Sequence, residues 1–254
     1  MKKLKEILYK VAIERVSGST SGSVTDIAVD SRQVIKKCIF VAVNGGEMDG
    51  HDYINEAIAS GASSIVCEQL PKVLHQEVVY IQVNDSRAAL GYMAANFHNT
   101  PSSQLHLVGI TGTNGKTTVA TLLFDLFNNQ KKKAGLISTV AIRYDDKYFE
   151  STHTTPNPIV INQHLRYMVD SGVTHCFIEV SSHGIDQKRI TGLAFTGAIF
   201  TNLTHDHLDY HPSFKHYRDT KKLLFDGLDK NGFALTNIDD LSLIHISEPT
   251  RPSL

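Results

Sequence analysis

The chain has 254 residues, with Lys+Arg 25 against Asp+Glu 26 and a formal net charge of −1. That length suits one large or two modest domains with real cores. The even charge balance excludes the basic footprint of a nucleic-acid binder or of a protein drawn to an anionic membrane, and no stretch is apolar for long enough to span a bilayer.

The basic start, MKKLKEILYKVAIERV, lacks the long apolar core and small-residue cleavage site of a signal peptide. Cys38, Cys67 and Cys176 lie in apolar runs without metal or redox spacing and read as buried free thiols of a reducing compartment. The expected location is the cytoplasm. Residues 3–16 carry Leu4, Ile7, Leu8 and Val11 at helical spacing and read as an amphipathic helix, followed by a flexible SGSTSGS turn at 17–23. Residues 24–29 form a strand that delivers Asp30-Ser31-Arg32 to its end. A second strand, 38–43, ends in NGGEMDGH. A helix over 54–59 closed by Gly61, strands over 62–67 and 78–83, and a helix over 87–97 complete a small α/β domain, residues 1–100. HNTPSSQ, residues 98–104, reads as the linker.

The next stretch is the most informative. Leu105, Leu107, Val108 and Ile110 make a short buried strand, Thr111 to Thr117 are small and glycine-containing, and a helical pattern begins at Val119 and ends near Lys131-Lys132-Lys133. Strand, glycine turn and helix describe a phosphate-binding loop made of Thr111, Gly112, Thr113, Asn114, Gly115, Lys116 and Thr117. Lys116 brings a mobile positive charge and Thr117 a hydroxyl suited to Mg²⁺. The general pattern asks for glycine where Ile110 stands, with Gly109 one place early. A glycine turn that merely joins strand to helix is the plainer alternative. It leaves a lysine at a helix start, opposing the helix dipole, so a bound nucleotide is favoured.

Further on, residues 135–142 read as a strand, 159–170 as a helix with Gly172 at its end, 175–180 as a strand, 194–201 as a strand and 214–227 as a helix. The expected fold is α/β: a small N-terminal α/β domain, then a doubly wound, mostly parallel P-loop domain over residues 101–240. Such sheets bind ligands at the C-terminal ends of their strands. Polar residues gather there: Glu179 ends one strand, and His205, Asp206, His207, Asp209 and His211 follow another. Glu179 and His207, facing Thr117, could hold a divalent ion that bridges nucleotide phosphates. His211 and His216 read as surface or capping residues. HDHLDYH approaches the H-x-H-x-D-H signature of dinuclear zinc hydrolases but misses by one residue at Tyr210, and those enzymes have no use for a P-loop.

Taken together, DSR (30–32), FVAVNGGEMDGHDYINEAIASGA (40–62), GITGTNGKTT (109–118), TTP (154–156), EVSSH (179–183), FTNLTHDHLDYH (200–211) and YRDTKKLLF (217–225) resemble the Mur ligases of peptidoglycan synthesis, most closely the MurE type. The P-loop alone would admit relatives such as folylpolyglutamate synthase or MurF, and a non-catalytic nucleotide-binding module is a further alternative. DSR and DGH in front, with EVSSH and DHLDYH behind, are more specific. The resemblance implies an ATP-dependent amide ligase. ATP phosphorylates the terminal carboxylate of UDP-N-acetylmuramoyl-L-alanyl-D-glutamate, and the incoming amine, meso-diaminopimelate or L-lysine, displaces phosphate from the acyl phosphate.

By that resemblance Lys116 and the loop N–H groups hold the ATP phosphates, Thr117 and Glu179 hold one Mg²⁺, and His207 serves a second. Lys221, in Y-x-x-x-K with Tyr217, corresponds to a lysine that CO₂ converts to a carbamate metal ligand; read without the resemblance, Lys221 and Lys222 are ordinary helix-surface lysines. Lys116, Glu179, His207 and Lys221 form the implied catalytic set. Ser31 and the Gly46-Glu47-Met48 turn match uridine contacts, and Thr154, Thr155, Ser181, Gln187 and Arg189 match contacts to the muramoyl-dipeptide and pyrophosphate. His153 departs from the family, where asparagine is frequent. Members are expected to work as monomers on small molecules, without nucleic acid or membrane, and have a third, C-terminal domain. This chain is expected to stop inside the central domain and to be inactive alone. LSLIHISEPTRPSL, residues 241–254, has no counterpart in the family and resembles translated sequencing-adapter read-through.

Overall fold

The structure, a computed structural model, describes residues 1–46, 48–206, 209–237 and 240. It divides into two compact units, Met1–Thr100 and Pro101–Leu254. Glu47, His207 and the tail at 241–254 lie outside the described residues.

The first unit runs β1 (Lys2–Lys3), α1 (Leu4–Ile7), β2 (Ile13–Ser17), β3 (Ser23–Val24), β4 (Ile27–Ala28), β5 (Cys38–Val41), α2 (Ile54–Ala59), β6 (Ala62–Cys67), β7 (Val79–Val83) and α3 (Ser86–Phe97). β4, β5, β6 and β7 pair in parallel, and β2 joins β7 antiparallel, in the order β2-β7-β6-β5-β4. Phe40, Ile54, Ile65 and Tyr80 pack in its core with the buried thiols of Cys38 and Cys67. Asp85 caps α3 by accepting from the Ala88 N–H at 2.8 Å.

Of the helix expected over 3–16, only Leu4–Ile7 forms. Leu4, Ile7, Leu8 and Val11 are buried, as their spacing requires, but the helix ends at Ile7 and Lys10 takes a positive φ of 63°. The chain then turns into β2, because pairing with β7 gives its backbone groups partners and β-branched Ile13 and Val16 suit a strand.

The second unit contains β8 (His106–Thr111), α4 (Lys116–Asn129), β9 (Ala134–Ile137), β10 (Ala141–Tyr144), β11 (Lys147–Glu150), α5 (Pro158–Asp170), β12 (His175–Glu179), α6 (Ser182–Asp186), β13 (Gly197–Phe200), α7 (Phe214–Asp226) and β14 (Phe233–Thr236). Its sheet has the order β11-β10-β9-β12-β8-β13-β14 and is parallel except at β10 and β11. One face is covered by α4, with Ala120 and Phe124 against Val108, Ile110 and Phe177. The other is covered by α5 and α7, with Ile161, Leu165, Met168 and Leu224 against Leu107, Cys176 and Ile178. Gly109 is a strand residue, not part of the loop: a Cβ there would stand 3.0 Å from Phe195 and 3.2 Å from Leu224, so it lets α7 approach the sheet.

The single strand expected over 135–142 is two strands. Between them the Ser138 N–H and hydroxyl both reach the Ala141 carbonyl, at 3.0 and 2.9 Å, closing a tight turn that sends β10 back antiparallel to β9. β8 sends its chain one way, to β9, while β12 sends its chain the other way, to β13. The two strands lie side by side, so a crevice opens beyond their C-terminal ends.

Candidate active site

The loop after β8 occupies that crevice. Gly112 has φ +146°, and a Cβ on it would come within 2.0 Å of Thr201 Oγ1, so only glycine fits. Gly115, left-handed at φ 82°, stands at the N-cap of α4 without a side-chain cap, whereas α3, α5 and α7 are capped by Asp85, Asn157 and Ser213. The N–H groups of the first turn of α4 therefore face the crevice without a capping oxygen, a site suited to an anion. Asn202, just after β13, ties the loop down: its carbonyl accepts from the Thr113 N–H at 2.8 Å and its Oδ1 from the Asn114 N–H at 2.9 Å. Thr201 Oγ1 donates to the Asn114 carbonyl at 2.6 Å. Lys116 Nζ folds back onto the carbonyls of Gly112 and Thr113, at 3.0 and 2.8 Å. Burial lowers its pKa, opposed by the charges of Glu179 and Asp206.

Glu179 ends β12 fully buried. Its carboxylate accepts from Thr117 Oγ1 at 3.0 Å, from the Thr139 N–H at 2.8 Å and from Thr139 Oγ1 at 3.2 Å. A buried carboxylate beside a threonine hydroxyl is a pair of hard oxygen donors, the set Mg²⁺ prefers. Thr139 went unnoticed in the sequence because a continuous strand over 135–142 left it no special place.

α7 turns Lys221 inward and Lys222 outward. Lys221, 1% exposed, donates to the Gly112 carbonyl at 2.9 Å and lies over the Tyr217 ring, while Lys222 pairs with Asp226 on the surface. Tyr217, itself buried, joins its hydroxyl to Thr113 Oγ1 at 3.0 Å. Burial, with the like charge of Lys116 adding and Asp206 opposing, pushes the Lys221 pKa down to about 7. An unfolded lysine keeps its proton to about pH 10.4, so at this site unfolding takes up a proton between those values and Lys221 contributes a rise of stability with pH above 7. Lys2 and Lys116, also lowered by burial, add in the same direction, whereas the thiols of Cys38, Cys67 and Cys176, pushed up by burial, oppose it above about pH 8.5. Urea unfolding between about pH 7 and 8.5 is expected to show a smaller slope with pH in Lys221→Met than in wild type. An unchanged pH slope in the variant would contradict this.

A second group adjoins Glu179. Thr155 Oγ1 donates to the Glu179 carbonyl at 3.0 Å and meets Ser181 Oγ at 3.1 Å, and Ser181 caps α6 through the Gly184 N–H. Arg189 donates to the Thr155 carbonyl at 2.7 Å and braces Gln187 Oε1, and Gln187 Nε2 reaches the Tyr210 hydroxyl at 3.5 Å. Thr154 joins through Thr139 Oγ1 at 3.1 Å. His153 lines a cavity of about 210 Å³ with Ser151, Pro156, His164 and Arg189. His211 differs from its expected surface place: it is 1% exposed, packed by the rings of His183, Tyr210 and Tyr217, with Nδ1 3.0 Å from His216 Nδ1. In the first unit, Asp30 accepts from the Arg32 N–H and holds a turn in which Ser31 is buried, while Gly46 and Met48 are exposed. Among the described residues no three His, Cys, Asp or Glu side chains converge as a metal cluster, and no helix is long and apolar enough to cross a membrane.

Family models match two stretches: "Mur ligase middle domain" over residues 110–252 and "Mur ligase family, catalytic domain" over residues 23–98. The chain belongs to the Mur ligase family. It is 52% identical over 238 residues to the UDP-N-acetylmuramoyl-L-alanyl-D-glutamate–2,6-diaminopimelate ligase of Cytophaga hutchinsonii, covering 93% of this chain and 49% of that protein. The ligase of the same name from Bacteroides fragilis is 49% identical over 249 residues, covering 98% and 51%. A solved structure of a ligase with this name superimposes with a TM-score of 0.80 at 25% identity, covering 96% of this chain and 48% of that one. A MurF structure from Acinetobacter baumannii, at TM-score 0.61 and 20% identity over 87% and 45% of the two chains, shares the fold. The chain thus spans about half the length of the curated Mur ligases it matches.

Proposed function

We propose that this chain supplies the nucleotide-handling part of a MurE-type amide ligase of peptidoglycan synthesis. Such a ligase joins a third amino acid, meso-diaminopimelate or L-lysine, to UDP-N-acetylmuramoyl-L-alanyl-D-glutamate in the cytoplasm, as a monomer. Residues 1–100 bind the uridine end through Ser31 and the Gly46–Met48 turn, including Glu47. Residues 101–240 bind ATP. The observation that carries this reading is the Thr117 hydroxyl on the buried Glu179 carboxylate, beside a P-loop and at the end of adjacent strands.

Repulsion between the γ-phosphate and the substrate carboxylate is the barrier to be lowered. Lys116 and the first-turn N–H groups of α4 hold the phosphates; Thr117 and Glu179 would hold one Mg²⁺, and His207 with a modified Lys221 would hold a second. Bound there, Mg²⁺ would supply charge neutralisation for the two anions. A carboxylate oxygen then attacks the γ-phosphorus as ADP leaves. The amine nitrogen adds to the acyl carbon, loses a proton, and the tetrahedral intermediate expels phosphate. Thr154, Thr155, Ser181, Gln187 and Arg189 orient the muramoyl-dipeptide, the Arg189 fork suiting a phosphate or carboxylate.

Lys221 is suited to become a carbamate: with its pKa near 7 a large share is neutral amine, which attacks CO₂, forms an N–C bond and releases a proton. The product is an anion where an ammonium stood. Carbon-13 NMR in labelled bicarbonate is expected to show a carbamate that Lys221→Met lacks; an unmodified Lys221 in equilibrated, active protein would refute it. For the substrate, calorimetry is expected to show UDP-N-acetylmuramoyl-L-alanyl-D-glutamate binding in preference to its tripeptide product and to folate. Preference for either competitor would overturn the assignment.

A further inference from the structure

We infer that Thr139 is a positioning residue that fixes the metal-binding carboxylate and links it to the substrate threonine; this rests on the assignment of Glu179 to Mg²⁺. Among the described residues three donors reach the Glu179 carboxylate, and two belong to Thr139: its N–H at Oε1 (2.8 Å) and its hydroxyl at Oε2 (3.2 Å). One residue therefore holds both oxygens and sets the plane of the carboxylate. The remaining donor, Thr117 Oγ1, is itself assigned to the metal, so the Thr139 clamp is what holds Glu179 independently of it. Outer hydrogen bonds of this kind orient a ligand and raise metal affinity.

The placement of Thr139 is built into the fold. The Ser138–Ala141 turn that ends β9 brings its backbone to the end of β12, where Glu179 stands, while its side chain remains exposed. Packing does not account for a threonine there. Its single hydroxyl proton has two acceptors, Glu179 Oε2 and Thr154 Oγ1, at 3.2 and 3.1 Å.

The experiment is a calorimetric titration of ATP into the full 254-residue chain, in Mg²⁺ and in EDTA, for wild type, Thr139→Val, Thr139→Ser and Glu179→Gln, with melting temperatures measured alongside. Thr139→Val keeps the N–H and loses the hydroxyl. It is expected to lose about 10-fold of the Mg²⁺-dependent gain in affinity, with affinity in EDTA and melting temperature unchanged, and Thr139→Ser is expected to restore the gain. A wild-type Mg²⁺ gain in Thr139→Val, or an equal loss with and without Mg²⁺, overturns the inference. If Glu179→Gln then abolishes the gain, the assignment of Glu179 stands without Thr139; if Glu179→Gln keeps the gain, both fall.

Discussion

Glu179→Gln is expected to abolish the tightening of ATP binding by Mg²⁺, a loss larger than the roughly 10–100-fold that removal of an outer metal-site partner costs. Glutamine is neutral and can keep the pairing: its oxygen can take the Thr139 N–H at the Oε1 position, while the Thr117 and Thr139 hydroxyls at the Oε2 position can turn to accept from its N–H₂. The variant therefore removes the anionic ligand while leaving each of these groups a partner, and its melting temperature is expected to stay close to that of wild type. Titration of Mn²⁺ followed by electron paramagnetic resonance, with ADP present, reads the metal defect directly: manganese affinity is expected to fall, and a wild-type affinity would contradict the assignment.

Lys116→Met should weaken ATP binding by about 2–5 kcal/mol, the cost of removing one partner from a desolvated charge pair, which is roughly 30-fold to more than 1,000-fold. Unlike the Glu179 variant, it should do so in Mg²⁺ and in EDTA alike, because its partner is phosphate and not the metal. Fluorescence titration with a labelled nucleotide reads this directly. Stability should change little, since among the described residues Lys116 donates to two loop carbonyls and is half-buried. A loss confined to Mg²⁺ would contradict the assignment. The same substitution removes a like charge near Lys221, so the Lys221 pKa should move up from about 7.

Much of this arrangement could be read from residue types and spacing. GTNGKT between an apolar strand and a helix fixed the loop, and Glu179 stood out as a carboxylate at the end of a buried strand. Two misreadings have physical causes. Leu4, Ile7, Leu8 and Val11 satisfy a helical stripe through Val11, yet the path of the chain after Val11 is decided by the antiparallel partner that β7 offers to β2, which is not local information. Ser138 looks like one polar residue in a β run, and its hydroxyl makes the turn that ends β9 and delivers Thr139 to Glu179. Asn202 escaped notice likewise, because its bonds to the P-loop cross 88 residues of sequence. Lys221 and Lys222 are indistinguishable as types; the packing of α7 separates them. Tyr217, four residues earlier, was the signal for Lys221, and its ring lies beneath the amine.

Glu179 and Thr117 are assigned to a divalent ion opposite the phosphate loop. Anomalous diffraction from crystals grown with Mn²⁺ and a non-hydrolysable ATP analogue shows whether they hold one. The expected result is a manganese peak at coordination distance from the Glu179 carboxylate and Thr117 Oγ1, with the analogue's phosphates over the N-terminus of α4. Phosphates seated there with manganese bound away from Glu179, or a Glu179 carboxylate still held only by Thr117 and Thr139, would contradict it.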